Sequence, residues 1–151
     1  MDVDSTMMQD KRYWIGVASR DHAMNAVQGG FAQLCHGKQA PLKKMSTGDW
    51  IIYYSPKVTF KEKTLLQKFT AIGKVIEDSV YQVEVKSDFI PYRRNIGFIS
   101  CKETSIQPLI SHLSFIKNSR YWGYSFRFGH FEISEKDFKL IAENMVNIKG
   151  D

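Results

Sequence analysis

The order of strand-like and helix-like segments along the chain constrains its fold more than any other feature. Up to residue 99 the apolar residues form short runs rich in β-branched and aromatic side chains, which favour strands. Capping residues and helical spacing indicate short helices in three other places. We predict strands at residues 13–19, 50–55, 66–78, 80–86 and 90–99 and a further strand within 120–134, with helices at 22–27, 106–113 and 138–145.

This pattern predicts an α+β fold. The strands do not alternate regularly with long helices, which argues against a doubly wound nucleotide-binding fold. About five to six strands with three short helices fit a small, curled, mostly antiparallel sheet or barrel.

Several single residues mark where these elements begin and end. Ser19 is a good helix cap, and the glycines at 29–30 should stop the helix that follows. Gly73 lies inside a strand, where glycine indicates a bulge or a close backbone approach. Ser134 and Asp137 have the spacing of a capping box before the last helix. Residues 31–45 show no periodicity and are expected to be irregular.

Size and composition favour one domain. The chain has 151 residues, of which 1–10 are predicted to be a flexible tail and 11–149 a single domain. We expect no secretory leader and no membrane span, and therefore a cytoplasmic protein with Cys35 and Cys101 as reduced thiols. The net charge of +5 allows phosphate contacts but does not require them.

Two polar motifs are candidate sites of chemistry. The sequence SRDH at residues 19–22 combines a hydroxyl, a carboxylate and an imidazole, but the members of a catalytic triad usually come from separate elements. A helix cap or a ligand-contacting turn fits it better. The sequence CHGK at residues 35–38 lacks metal-ligand spacing and is not a phosphate loop. Its lysine, together with Lys43 and Lys44, could still meet phosphates.

The segment RYWGYSFRFGHF at residues 120–131 is the richest in chemistry. Six of its twelve positions are aromatic, and arginines and glycines lie among them. Rings offer π-faces to a planar base and arginines bind phosphate, although alternate rings could equally fill a core. In YRRN at residues 92–95, adjacent strand arginines point to opposite faces, so that only one can face a groove.

Five blocks of the sequence resemble the EVE domain family in their order. They are YWIGVASRDH, GGFAQLCHGK, GDWIIYYSP, FTAIGKV and RFGHFEI, and the similarity extends from Tyr13 to Met145. The resemblance implies a PUA-like fold, related to YTH and ASCH domains, and a binding module for a modified nucleobase in DNA or RNA. Phe31 stands where YTH domains have a cage tryptophan, which is a departure from their pattern.

The resemblance also implies a site without catalytic residues, metal or cofactor, and a nucleic acid or modified nucleoside as partner. The residues expected to bind the base are Ser19, Arg20, Asp21, Phe31, Tyr54, Ser55, Pro56, Trp122 and Tyr124. The residues expected to contact phosphate are Lys38, Lys43, Arg93 and Arg127. Two alternatives use the same pocket. One is a small hydrolase of a modified nucleoside or amide, with Asp21, His22 or Lys38 as acid or base. The other is a domain that binds a free metabolite.

Overall fold

The computed structural model describes residues 11–146, so the predicted tail at 1–10 and the last residues of the predicted domain lie outside it. The described residues form three α-helices, three short 3₁₀ helices and one seven-stranded sheet. The strands are β1 (Tyr13–Val17), β2 (Phe31–Ala32), β3 (Trp50–Lys57), β4 (Leu65–Gln82), β5 (Tyr92–Phe98), β6 (Thr104–Ser105) and β7 (His130–Ile133). The α-helices are α1 (Arg20–Gly29), α2 (Gln39–Lys44) and α3 (Glu135–Met145), and the 3₁₀ helices are Gln107–His112, Ser119–Tyr121 and Tyr124–Phe128.

The sheet has the order β2-β5-β4-β3-β1-β7, with β6 paired to β4. β1 and β3 run parallel, and the other named pairs are antiparallel. The α+β class and the mostly antiparallel pairing are therefore as predicted. Within residues 11–146 the pairings form an open path from β2 to β7, so a closed barrel is not observed, and the strands number seven instead of five or six.

Three local predictions were wrong. Residues 80–86 are not a separate strand, because β4 continues to Gln82 and a register shift between Val75 and Val80 keeps it paired to β5. The strand predicted at 50–55 continues through Pro56 to Lys57, because a second register shift accommodates the proline. Residues 31–45 contain β2 and α2, which are too short for a periodic signal. The helix predicted at 106–113 is present as a 3₁₀ helix over residues 107–112.

Both faces of the sheet are covered. Ile15 and Ile52 point into a cluster that includes α3 and the 3₁₀ segments, whereas their neighbours Trp14 and Ile51 point into a cluster that includes α1 and α2. This alternation is the two-residue period of a strand. Because both faces are buried, β3 is apolar almost throughout.

The predicted ends of α1 are close to those observed. Ser19 is the N-cap residue, although its side chain makes no capping hydrogen bond, and Gly30 ends the helix with a left-handed φ of 72°. Gly73 confirms the close approach, since a Cβ there would lie 2.9 Å from the carbonyl oxygen of Gly97. Asp49 ties β1 to the turn before β3, accepting hydrogen bonds from the Trp14 indole (3.0 Å) and the Ser46 amide (2.8 Å).

Candidate functional site

A cavity of about 540 Å³ opens where β1 and β3 end. Because these neighbouring strands are parallel, their carboxyl ends meet at one edge of the sheet, and the residues that follow them stay in contact, since the Asp21 amide donates to the Val58 carbonyl. The end of β1 contributes residues 17–19 and the end of β3 contributes residues 56–57. The remaining lining comes from five other places in the chain: His22 on α1, the loop after β2 with Gln33, Cys35 and His36, Phe60 after β3, Phe89 between β4 and β5, and the segment with Phe126, Arg127 and Gly129.

Gln33 is the most buried polar side chain of the lining, with 5% of its surface exposed. Its Oε1 accepts a hydrogen bond of 2.9 Å from Nε of Arg93. Arginine has only donors, so this contact fixes the amide orientation and leaves the Gln33 NH₂ as the free end. Among the described residues the NH₂ group has no hydrogen-bond partner, and it is not fully sealed from solvent. The cavity wall therefore holds an oriented donor.

Phe31 does not line the cavity, but it contacts Arg93, the residue that orients the Gln33 amide. The guanidinium of Arg93 lies 3.9 Å from the centre of the Phe31 ring, so one face of that ring is covered. Arg93 thus links Phe31 to Gln33. Its neighbour Arg94 points the other way and is 3% exposed, donating to the carbonyls of Leu42 and Glu77. The expectation that the two arginines face opposite sides is confirmed.

The loop after β2 brings strained backbone to the cavity. Cys35 and His36 both have positive φ, 50° and 64°, which costs a non-glycine residue about 1 kcal/mol or more each. Such conformations persist where surrounding structure enforces them, and they concentrate at functional sites. Burial raises the pKa of the Cys35 thiol, which favours the neutral form. Cys35 and Cys101 are both free, as expected.

Aromatic rings form much of the cavity wall. Phe126 is 8% exposed and stacks on Tyr54 at a centroid distance of 4.1 Å, so Tyr54 buttresses a lining ring from behind. Phe60 is 71% exposed and lies edge-on to the His36 ring at 6.5 Å. The ammonium of Lys57 donates to the Phe60 carbonyl and lies 5.5 Å from the centre of its ring. With Arg127, Lys57 gives the lining two cations and no carboxylate.

The polar turn at 19–22 is largely engaged with itself. The Ser19 hydroxyl donates to Asp21 Oδ1 (2.6 Å), and the same oxygen accepts from the His22 amide (2.8 Å). The amide of Asp21 donates to the Val58 carbonyl, so this helix start offers few free N–H groups. Arg20 forms an ion pair with Glu103 at 2.7 Å. Of the acid–base candidates Asp21, His22 and Lys38, the lining includes His22 alone.

The residues predicted from the sequence thus fall into three groups: those that line the cavity, those buried behind it and those outside it. Ser19, Pro56 and Arg127 line the cavity. Tyr54 and Ser55 are buried behind it, with the Ser55 hydroxyl bonded to that of Thr70 at 2.8 Å. The remaining ones lie outside the lining: Arg20, Asp21, Phe31, Lys38, Lys43, Arg93, Trp122 and Tyr124.

Sequence reasoning missed Gln33, Phe60 and Phe89. Phe60 lies in a lysine-rich loop that reads as solvated, and Phe89 lies in the hairpin after β4. No periodic signal marks either one. Gln33 lies in residues 31–45, which show no periodicity, so the sequence carries no signal for it either.

Residues 11–146 contain no group of three or more His, Cys, Asp or Glu side chains placed to hold a metal ion. None of the helices in this part of the chain is long and apolar enough to span a membrane.

Sequence comparisons identify relatives over nearly the whole chain. The family model described as EVE domain matches residues 12–144. The UPF0310 protein in the gntR 5' region of Bacillus licheniformis is 62% identical over 130 residues, which is 86% of this chain and 88% of that protein. The UPF0310 protein YdcG of Bacillus subtilis is 50% identical over 139 residues, covering 91% of this chain and 95% of that protein.

Solved structures share the fold at low sequence identity. A hypothetical protein from Leishmania major superposes with a TM-score of 0.57 at 12% identity, over 90% of this chain and 95% of that one. An NMR structure of a protein from Rhodopseudomonas palustris gives a TM-score of 0.51 at 15% identity, over 87% and 91% of the two chains. These likenesses concern the fold alone.

Proposed function

This chain belongs to the EVE domain family, and from that premise we propose that it binds a modified nucleobase in the cavity at the ends of β1 and β3. The observation that carries the proposal is a ring-walled cavity of about 540 Å³ with the oriented amide of Gln33 in its wall. Sites for small planar ligands are largely apolar and contain a few fixed polar groups. PUA-like binding modules provide the wider context for such a site.

The rings would hold the base by its faces. Phe60, Phe89 and Phe126 each contribute a ring to the lining, and base–aromatic stacking is worth roughly 1–3 kcal/mol per base. Stacking tolerates any base, so these rings give affinity and little selectivity. Truncating an exposed ring such as Phe60 should therefore weaken all bases alike.

Gln33 would supply the selectivity. Its NH₂ group can donate to a ring nitrogen or a carbonyl oxygen on the edge of the base. A base that offers a donor there leaves both groups unpaired, and a buried unpaired group costs about 1–3 kcal/mol. A site of this kind rejects a poorly matched ligand more strongly than an apolar pocket can.

Titration calorimetry with short oligonucleotides tests the proposal. The probes are single strands with one central 5-methylcytosine or N6-methyladenine, and the same strands without the methyl group. We expect one modified strand to bind at least about tenfold more tightly than its unmodified match. Calorimetry is preferred to tryptophan fluorescence, because Trp14, Trp50 and Trp122 all lie outside the cavity lining.

The variant Gln33→Glu is the sharpest probe of the mechanism. A carboxylate still accepts from Arg93, so the local packing is kept, but the group that faces the cavity changes from donor to acceptor. Binding should weaken at least about tenfold for strands with and without the methyl group, because the methyl group does not change the acceptor that the Gln33 NH₂ would meet. Gln28→Glu, on the exposed side of α1, is the matched control and should keep the affinity of the unaltered protein. Equal binding of modified and unmodified strands by the unaltered protein would refute the proposal.

A further inference from the structure

An exposed aromatic surface adjoins the cavity and is not explained by it. Among residues 11–146, four aromatic residues other than histidine are more than half exposed, and one of them, Phe60, lines the cavity. The other three lie within eight residues of one another: Tyr121 (62% exposed), Tyr124 (58%) and Phe128 (61%). Isolated exposed rings need no explanation, but a group of this kind next to a cavity indicates an interaction surface.

Arginines accompany these rings. The guanidinium of Arg127 lies 5.5 Å from the centre of the Tyr124 ring, and Tyr124 lies edge-on to Phe128 at 5.7 Å. Arg120 lies 5.6 Å from the centre of the Tyr121 ring. Neither arginine forms a salt bridge with the described part of the chain. We call these five residues the aromatic–arginine surface. Tyr124, Arg127 and Phe128 adjoin the cavity, because Arg127 also lines it, and Arg120 and Tyr121 lie shortly before them in the chain.

The charge of this region specifies the kind of partner. Residues 104–131 contain no aspartate or glutamate, while Lys117, Arg120 and Arg127 give the stretch a net charge of +3 with histidines neutral. A surface of exposed rings and unpaired arginines without acidic groups is complementary to an anionic polymer of planar units. Single-stranded nucleic acid has this chemistry, since its bases stack on rings and its phosphates pair with arginine.

We propose that the aromatic–arginine surface binds the nucleotides next to the base in the cavity, so that the protein selects single-stranded nucleic acid. This inference rests on the proposed function for the identity of the central base. In a duplex the neighbouring bases stay stacked on one another and offer no free faces to Tyr124 and Phe128. In a single strand they are free to stack on these rings, while Arg127 and Arg120 pair with the phosphates between them.

Binding by a double variant, Tyr124→Ser with Phe128→Ser, tests this inference. Both side chains are exposed, so the fold should be retained, and circular dichroism checks this. The probes are the methylated nucleoside alone, the methylated and unmethylated single strands, and the corresponding duplexes. We expect the double variant to bind both single strands at least about tenfold more weakly and to bind the nucleoside as the unaltered protein does. Val27→Ser with Ile76→Ser, two exposed apolar residues elsewhere, is the matched control.

The outcomes separate the two proposals. Equal affinity for single strand and duplex, or a double variant that binds single strands normally, overturns the aromatic–arginine surface and leaves the base site intact. Failure to distinguish methylated from unmethylated strands, with tight single-strand binding that the double variant loses, overturns the base site and supports the surface. Binding of the unmethylated single strand also depends on Tyr124 and Phe128. The aromatic–arginine surface is therefore tested whether or not the protein recognises the methyl group.

Discussion

At the scale of single residues, His130 is the clearest source of pH dependence. It is 9% exposed, stacks on Trp14 at 4.7 Å, and its Nε2 has no hydrogen-bond partner among residues 11–146. Burial, and secondarily the charge of Lys44, lowers its pKa from 6.5 to about 4. The folded protein thus favours the neutral ring, whereas the unfolded chain takes up a proton near pH 6.5.

The expected consequence is a loss of stability in mild acid. Above pH 6.5 the imidazole is neutral in both states and contributes no pH dependence. As the pH falls from 6.5 towards 4 the unfolded state binds the extra proton first, so the free energy of unfolding falls by about 2 kcal/mol. Urea unfolding at pH 7 and pH 4.5 measures this. His130→Phe keeps a stacking ring and should lose most of the pH effect, whereas His112→Gln, at an exposed site, should retain it.

At the scale of elements, the sequence predicted long or capped segments well and short ones poorly. α3 could be predicted because its apolar stripe and its Ser134 cap agree, and the Ser134 hydroxyl does accept from the Asp137 amide at 3.1 Å. β2 and β6 have two residues each, so they are too short to show an alternating apolar pattern. They are strands only because they pair with β5 and β4. The parallel pairing of β1 with β3 was also invisible, because it depends on how α1 and α2 return the chain.

Asp137 gives an element-scale prediction. Its carboxylate does not complete the capping box but accepts from the amide and hydroxyl of Ser114, at 2.9 and 2.7 Å, which fastens the loop after the first 3₁₀ helix onto α3. In Asp137→Asn, an amide NH₂ group, which is a donor, replaces one of the acceptor oxygens that face the donors of Ser114. We expect the free energy of unfolding to fall by about 2 kcal/mol in urea titrations at pH 7.

Glu135 provides the comparison on the same turn of α3. Its ion pair with Lys139 is exposed, with an N–O distance of 3.1 Å, and such pairs contribute little. Glu135→Gln should therefore change the free energy of unfolding by less than about 0.5 kcal/mol. A loss for Asp137→Asn no larger than that for Glu135→Gln would contradict the role given to the buried carboxylate.

At the scale of the whole molecule, the sequence predicted a cavity with aromatic walls but only some of the residues that line it. Ser19 and Pro56, which the resemblance implied, are part of the cavity lining, near the carboxyl ends of β1 and β3. Phe31 lies outside the lining, and Arg93, distant in sequence, covers one face of its ring. Which ring is free and which is covered depends on contacts between elements far apart in the chain, and no local pattern encodes them.

The net charge of +5 leads to a last prediction for the molecule as a whole. Each phosphate of a single strand that a lysine or arginine neutralises should lower the slope of log affinity against log salt by about 0.7. Lys38 directly precedes α2 and Lys43 lies in its last turn. Both are exposed, two and seven residues beyond the lining residue His36, and are proposed to make two such contacts. The double variant Lys38→Gln with Lys43→Gln should make the slope shallower by about 1.4, whereas affinity for a neutral nucleoside should not depend on salt. The same change at Lys136 and Lys139 on α3 should leave the slope unaltered. Equal slopes for the two double variants would contradict a contact between α2 and the nucleic acid.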